Sequence, residues 1–165
     1  MSDKKKLIIC KSNVGRSQEG EAIGSSLEKG FMSAGIEDLS EKYSDGLPSE
    51  VLDVLREWQI NATDNRVKKV TQDMVDQADV ILVLCSPDLL PEFVKQHSNV
   101  LVREIADPYG KDYEIHKKVR DKIETAILQL LIWLAYTDKR YAYCGEPPFQ
   151  HYLLQSDGRF IPVYD

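Results

Sequence analysis

Cysteine is scarce in this 165-residue chain: Cys10, Cys85 and Cys144 are the only three, and no two form a CxxC pair. That excludes a disulfide framework and a zinc ribbon, both of which need more ligands or closer spacing. Histidine is equally sparse; His97, His116 and His151 are scattered without metal-ligand spacing, so no metal and no other cofactor is expected. Long apolar runs are missing as well. The longest, AILQLLIWLA at 126–135, has ten residues and contains a glutamine, which makes it a core helix and not a membrane span. Behind Lys4, Lys5 and Lys6 the apolar run Leu7–Cys10 is too short for a signal peptide. Nor is there a basic excess: 21 Lys and Arg against 27 Asp and Glu leave a net charge of −6, which argues against nucleic acid or an anionic membrane as partner. What remains is an ordinary globular composition, 42% apolar and 29% charged, expected to form one domain with free thiols in a reducing cytoplasm.

Apolar runs alternate with helical patterns. Leu7–Cys10 (LIIC) and Val80–Cys85 (VILVLC) read as strands buried on both faces, Val100–Ile105 as a third, and Phe31–Gly35 (FMSAG) as a weaker fourth. Between them, Ile23, Leu27 and Phe31 recur at four-residue intervals, and Val51, Leu52, Val54, Leu55 and Trp58 fall on one stripe. Thr71 suits the N-cap of a brief helix, Ser86-Pro87 a helix start, and residues 113–135 form the longest helical pattern. Alternation of this kind predicts a three-layer α/β domain: a four-stranded parallel sheet with helices on both faces, over residues 1–136. Residues 137–165 are different. Tyr141, Tyr143, Tyr152 and Tyr164 with Pro147-Pro148 show no periodicity, and form a tyrosine-rich C-terminal extension. Its tyrosines are open to packing over the sheet, self-association or covering a site.

In a parallel sheet the ligand crevice lies beyond the carboxyl ends of the strands. Cys10 ends the first strand, and the segment that follows reads C-K-S-N-V-G-R-S. A tight strand-to-helix loop lined by backbone N–H groups forms a nest for a tetrahedral oxyanion, and the helix N-terminus adds positive potential. The same field favours the thiolate form of Cys10, a nucleophile. Arg16 supplies a planar fork for two phosphoryl oxygens, and the Ser17 hydroxyl a hydrogen bond to the sulfur. Chance places Cys-x5-Arg-Ser in a chain of this composition only about one time in a hundred, so a core cysteine with a surface arginine is the weaker reading.

These residues resemble the low-molecular-weight protein tyrosine phosphatases, which share a fold with the thioredoxin-coupled arsenate reductases. The resemblance includes CKSNVGRS, the SAG at 33–35, ADVILVL at 78–84 and DPYG at 107–110. It implies that Cys10 is the nucleophile, that Arg16 and the loop of Lys11, Ser12, Asn13, Val14, Gly15 and Ser17 bind the phosphoryl group, and that Asp107 is the general acid. Asp107 would protonate a leaving phenolate and then activate water against a phosphocysteine. Asn13 matches a loop asparagine suited to positive φ. Tyr109 matches an aromatic at the mouth of the pocket. Val14 stands where the tyrosine phosphatases carry isoleucine and the protein-arginine phosphatases threonine, which favours the tyrosine type. Lys11 is either a rim residue favouring acidic phosphopeptides or a solvated lysine.

The expected activity is therefore phosphomonoester hydrolysis without a metal, on a phosphotyrosine-containing protein or a small aryl phosphate, by a monomer or weak homodimer. Three features look instead like the arsenate reductases: RSQ at 16–18, SAGIE at 33–37, and Cys85, which stands where those enzymes keep a relay cysteine. No resolving cysteine follows in SPDLLPEF, so Cys85 reads as a packing residue, and a reductase would need Cys10 with an external thiol partner. A non-catalytic oxyanion- or phosphopeptide-binding module is the third reading. It has no use for a thiolate and an acid together.

Overall fold

The computed structural model describes residues 3–137, together with the backbone of 151–154 and 160–163. Strand β1 (Lys6–Cys10) leads into helix α1 (Arg16–Leu27), followed by β2 (Phe31–Gly35), α2 (Ser49–Arg56), α3 (Gln72–Gln77) and β3 (Val80–Val83). A single 3-10 turn at Pro87–Leu89 and the short α4 (Glu92–Lys95) connect to β4 (Val100–Val102), and α5 (Tyr113–Thr137) closes the parallel unit. The four strands expected from the apolar runs are present and pair in parallel in the order β2-β1-β3-β4. The chain thus leaves β1 on one side to form β2 and returns on the other to form β3, which puts the end of β1 at the point where strand order reverses. Crevices open at such points.

Side chains of β1 alternate between two cores. Ile8 and Cys10 face α1, α2 and α5, packing with Ile23, Val51, Leu55, Ile123 and Ile127. Leu7 and Ile9 face the other layer, with Val75 of α3 and Val94 of α4. Thr71 caps α3 as its sequence position suggested, its Oγ1 accepting from Met74 N at 3.2 Å. No helix among the described residues is long and apolar enough to cross a membrane.

Two expectations are corrected. The stripe of Ile23, Leu27 and Phe31 does not form one helical face: only Ile23 is buried, Leu27 is 48% exposed, and Phe31 begins β2. Phe31 instead lies against Gly24, where an added Cβ would fall 2.4 Å from its ring. The strand expected over Val100–Ile105 pairs only as far as Val102, although Arg103 N and Ile105 N still donate to Val83 O and Leu84 O. The four-stranded parallel sheet stands as expected, and the C-terminal extension adds to its edge. β5 (His151–Leu154) and β6 (Phe160–Val163) extend it antiparallel, Leu153 pairing with Leu101. Cys144, Tyr141, Tyr143, Tyr164 and the proline pair lie outside the described residues.

Candidate active site

The chain turns sharply after Cys10, and the turn is held from both sides. Asn13 adopts φ 56°, the left-handed region that asparagine tolerates better than most residues. The end of β2 presses against the turn: Ile36 N donates to Cys10 O and Glu37 N to Lys11 O at 2.8 Å. Position 35 must be glycine for that approach, since a Cβ there would sit 2.6 Å from the Ser12 carbonyl carbon and 2.8 Å from Asn13 N. This is the physical content of the SAG motif.

A buried polar relay runs behind the turn. Asn13 Nδ2 donates to Ser17 Oγ at 2.8 Å and to Ser33 Oγ at 2.9 Å. Its Oδ1 accepts from Gln18 Nε2 at 2.9 Å and Lys68 N at 3.0 Å, so its hydrogen-bonding capacity is filled. Ser33 in turn donates to the Glu21 carboxylate. Ser17 Oγ, accepting from Asn13, lies 3.0 Å from Cys10 Sγ and keeps its own proton available to donate to a thiolate there. Asn13 N adds a second donor to that sulfur at 3.3 Å. Asn13 N and Ser17 Oγ thus converge on one sulfur.

Arg16 opens α1 and is 7% exposed. Its Nη1 donates to Ile105 O at 2.7 Å and Leu84 O at 3.4 Å, both in the segments that follow β4 and β3. Its Nη2 donates to Asp107 Oδ2 at 3.1 Å, a residue 91 positions away. A guanidinium anchored in this way keeps further N–H donors of its planar fork for an oxyanion. Tyr109 N donates to Asp107 Oδ1 at 3.0 Å and fixes the carboxylate in its loop.

These groups share a cleft of about 600 Å³. Of the residues singled out in the sequence, Cys10, Lys11, Ser12, Val14, Gly15, Arg16, Asp107 and Tyr109 line it, while Asn13 and Ser17 are fully buried behind it and act on the sulfur. Tyr109 stands at the rim, 75% exposed. Lys11 is half exposed at the edge of the cleft, its ammonium 3.5 Å from the equally exposed Glu37 carboxylate. Cys85 is buried in the opposite core from Cys10, and burial pushes its thiol up to about 12, helped by the nearby Cys10. Its side chain packs in that core, 1% exposed.

The sequence reading missed the far wall of the cleft. Leu39, Lys42, Tyr43 and Pro48 come from the connection between β2 and α2, and Val51 and His116 from α2 and α5. Ser33 and Glu21 were also missed as parts of the relay. Ser33 carried one signal, a hydroxyl in an otherwise apolar strand. Among the described residues no group of three or more His, Cys, Asp or Glu is placed to hold a metal ion.

The family model described as low molecular weight phosphotyrosine protein phosphatase matches residues 5–140. The chain belongs to that family, which includes phosphatases and arsenate reductases. An arsenate reductase of Staphylococcus aureus strain N315 is 31% identical over 135 residues, covering 76% of this chain and 95% of its own. The YwlE arginine phosphatase of Geobacillus stearothermophilus superposes with a TM-score of 0.72 at 22% identity, covering 86% of this chain and 99% of its own. The tyrosine phosphatase Wzb of Escherichia coli K30, solved with sulphate, gives a TM-score of 0.69 at 24% identity over 81% of this chain and 99% of its own.

Proposed function

We propose that this chain is a cytoplasmic phosphomonoesterase for phosphotyrosine-like aryl phosphates. The observation that carries the reading is the joint placement of Cys10, Arg16 and Asp107 on one cleft, with the Arg16 guanidinium bridging the cysteine loop to the acid. Cys10 Sγ attacks phosphorus, and an S–P bond forms as the P–O bond to the phenol breaks. Arg16 and the loop stabilise the charge on the transferred group, and Asp107 passes its proton to the departing oxygen. Asp107 then takes a proton from water, whose oxygen attacks phosphorus. The S–P bond breaks, and thiolate and phosphate are released.

Turnover of p-nitrophenyl phosphate by wild-type protein with chelator present, and its loss in Cys10→Ser, is the expected result. Absence of turnover in the wild type overturns the proposal.

A second reading is favoured by the staphylococcal relative and by the RSQ and SAGIE segments. There, Cys10 would attack arsenate with loss of water. An external thiol would then attack the Cys10 sulfur, leaving the S–As electron pair on arsenic as arsenite and producing a mixed disulfide. Arsenite formation coupled to a thiol donor, with weak hydrolysis of p-nitrophenyl phosphate, selects this reading. If Cys85 takes part in such a relay, Cys85→Ser abolishes it; under the phosphatase reading the same variant keeps its turnover.

A further inference from the structure

Among the described residues, only Glu19 has both oxygens of a carboxyl buried without a hydrogen-bond partner. It is fully buried in the first turn of α1, three residues after Arg16. Residues at that spacing are neighbours on a helix surface. A buried carboxyl without a donor is costly, and such a group calls for an explanation.

The groups packed around α1 do not satisfy it. Arg16 bonds to Ile105 O, Leu84 O and Asp107. Arg120 of α5 bonds to Val54 O, Glu57 and Asp121. Both act on Glu19 only through their charge. Of the other titratable groups, β1 brings Cys10 and Lys6, the latter held by Glu28 and Lys29 O. β2 brings none. Glu50 of α2 lines the cleft, and Glu57, just past the end of α2, is taken up by Arg120 and Tyr113. α5 also brings the buried His116, and α1 itself Glu21, tied to Ser33 and Lys68. Burial prevails over the two arginines, and pushes the Glu19 carboxyl up to about 8.

We propose that Glu19 is a positioning residue of the oxyanion site that acts through Arg16, so that the cleft loses affinity for a dianion when Glu19 gives up its proton. Protonated, Glu19 leaves the Arg16 charge whole for the anion. Ionised, it sets a negative charge beside that arginine and opposes a second one in the cleft. The proton goes to solvent, and by reciprocity a bound dianion makes it harder to remove. Because Glu19 lies inside the fold, salt screens this charge far less than it screens Lys42 or Lys111 at the cleft edge. The inference rests on the reading above only in that the cleft takes an oxyanion.

Inorganic sulfate is the probe, since it stays a dianion throughout the range tested. Its affinity is measured by calorimetry between about pH 7 and pH 9. The measurement uses the Cys10→Ser chain, so that no nucleophile titrates, alone and combined with Glu19→Gln or Glu19→Met. We expect affinity to fall about tenfold over that range with Glu19 present, and to stay level in both combined variants. An equal fall in the combined variants, or none with Glu19 present, overturns the proposal. Wild type gives a reading that needs no variant: the infrared carbonyl band of a buried carboxylic acid should persist to higher pH with sulfate than without. A band that disappears at the same pH in both cases overturns the proposal as well. If these sulfate responses hold while aryl phosphate turnover is absent, the phosphatase reading falls and this one stands; turnover with level sulfate affinity overturns this one alone.

Discussion

Asn13 donates from Nδ2 to Ser17 Oγ at 2.8 Å, and this bond sets the direction of the next. A hydroxyl has one proton. With its oxygen accepting from Asn13, Ser17 can give that proton to a Cys10 thiolate, so an amide and a hydroxyl that lie behind the cleft act on the sulfur that lines it. The chain of bonds ends at Glu21, whose carboxylate accepts from Ser33.

Replacing Ser17 by alanine removes a charge-assisted hydrogen bond from the nucleophile and leaves the oxyanion-binding arginine in place. Turnover of p-nitrophenyl phosphate should fall about 10- to 100-fold in kcat, with KM little changed. Iodoacetate should alkylate Cys10 more slowly at neutral pH. A variant with wild-type kcat and wild-type alkylation rate would show that the relay does not act on the sulfur.

Asp107 is half exposed and bound to Arg16, so its replacement acts twice. Asp107→Asn should lower kcat by about 10²- to 10⁴-fold with phenyl phosphate, the usual range for losing a general acid. The loss should be smaller with p-nitrophenyl phosphate, whose leaving group needs no proton. Arg16, freed of its carboxylate partner, should bind inorganic phosphate more tightly. Equal losses on the two substrates would remove Asp107 from the role of acid.

Glu19 makes stability depend on pH. Burial raises its carboxyl from the ordinary 4.5 to about 8, the opposing charges of Arg120 and Arg16 notwithstanding. Between those values the folded chain keeps a proton that the unfolded chain has released, so stability falls as pH rises from 4.5 to about 8 and levels off above. Glu19→Gln should flatten that decline, matching wild type near pH 4 and exceeding it by a few kcal/mol at pH 9. Urea unfolding at both pH values checks it; an unchanged slope would mean that the carboxyl is satisfied in solution.

Much of the fold was legible because its signals are local. LIIC and VILVLC are short enough and apolar enough to be strands covered on both sides, and the 113–137 helix carries its buried positions at regular intervals. Where the signal failed, the reason is also local. The buried face of α1 is made of Arg16, Ser17, Gln18, Glu19, Gly20 and Gly24 as much as of Ala22 and Ile23, so an apolar period could not find it. The C-terminal pair β5 and β6 is set by pairing against β4, which leaves no pattern within four-residue strands.

The amino-acid sequence by itself determined the cysteine loop and the identity of its partners, because nucleophile, arginine and hydroxyl lie within eight consecutive residues and their spacing is that of one turn into one helix. It also carried the Asp-Pro loop, through a motif. Only the tertiary structure decided what those residues meet: the bond from Arg16 to Asp107, the wall from the β2–α2 connection, the relay through Ser33, and the burial of an unpaired Glu19 in α1. The physical reason is that burial and charge at a point depend on elements distant in the chain, and neither composition nor periodicity records which of them will be neighbours.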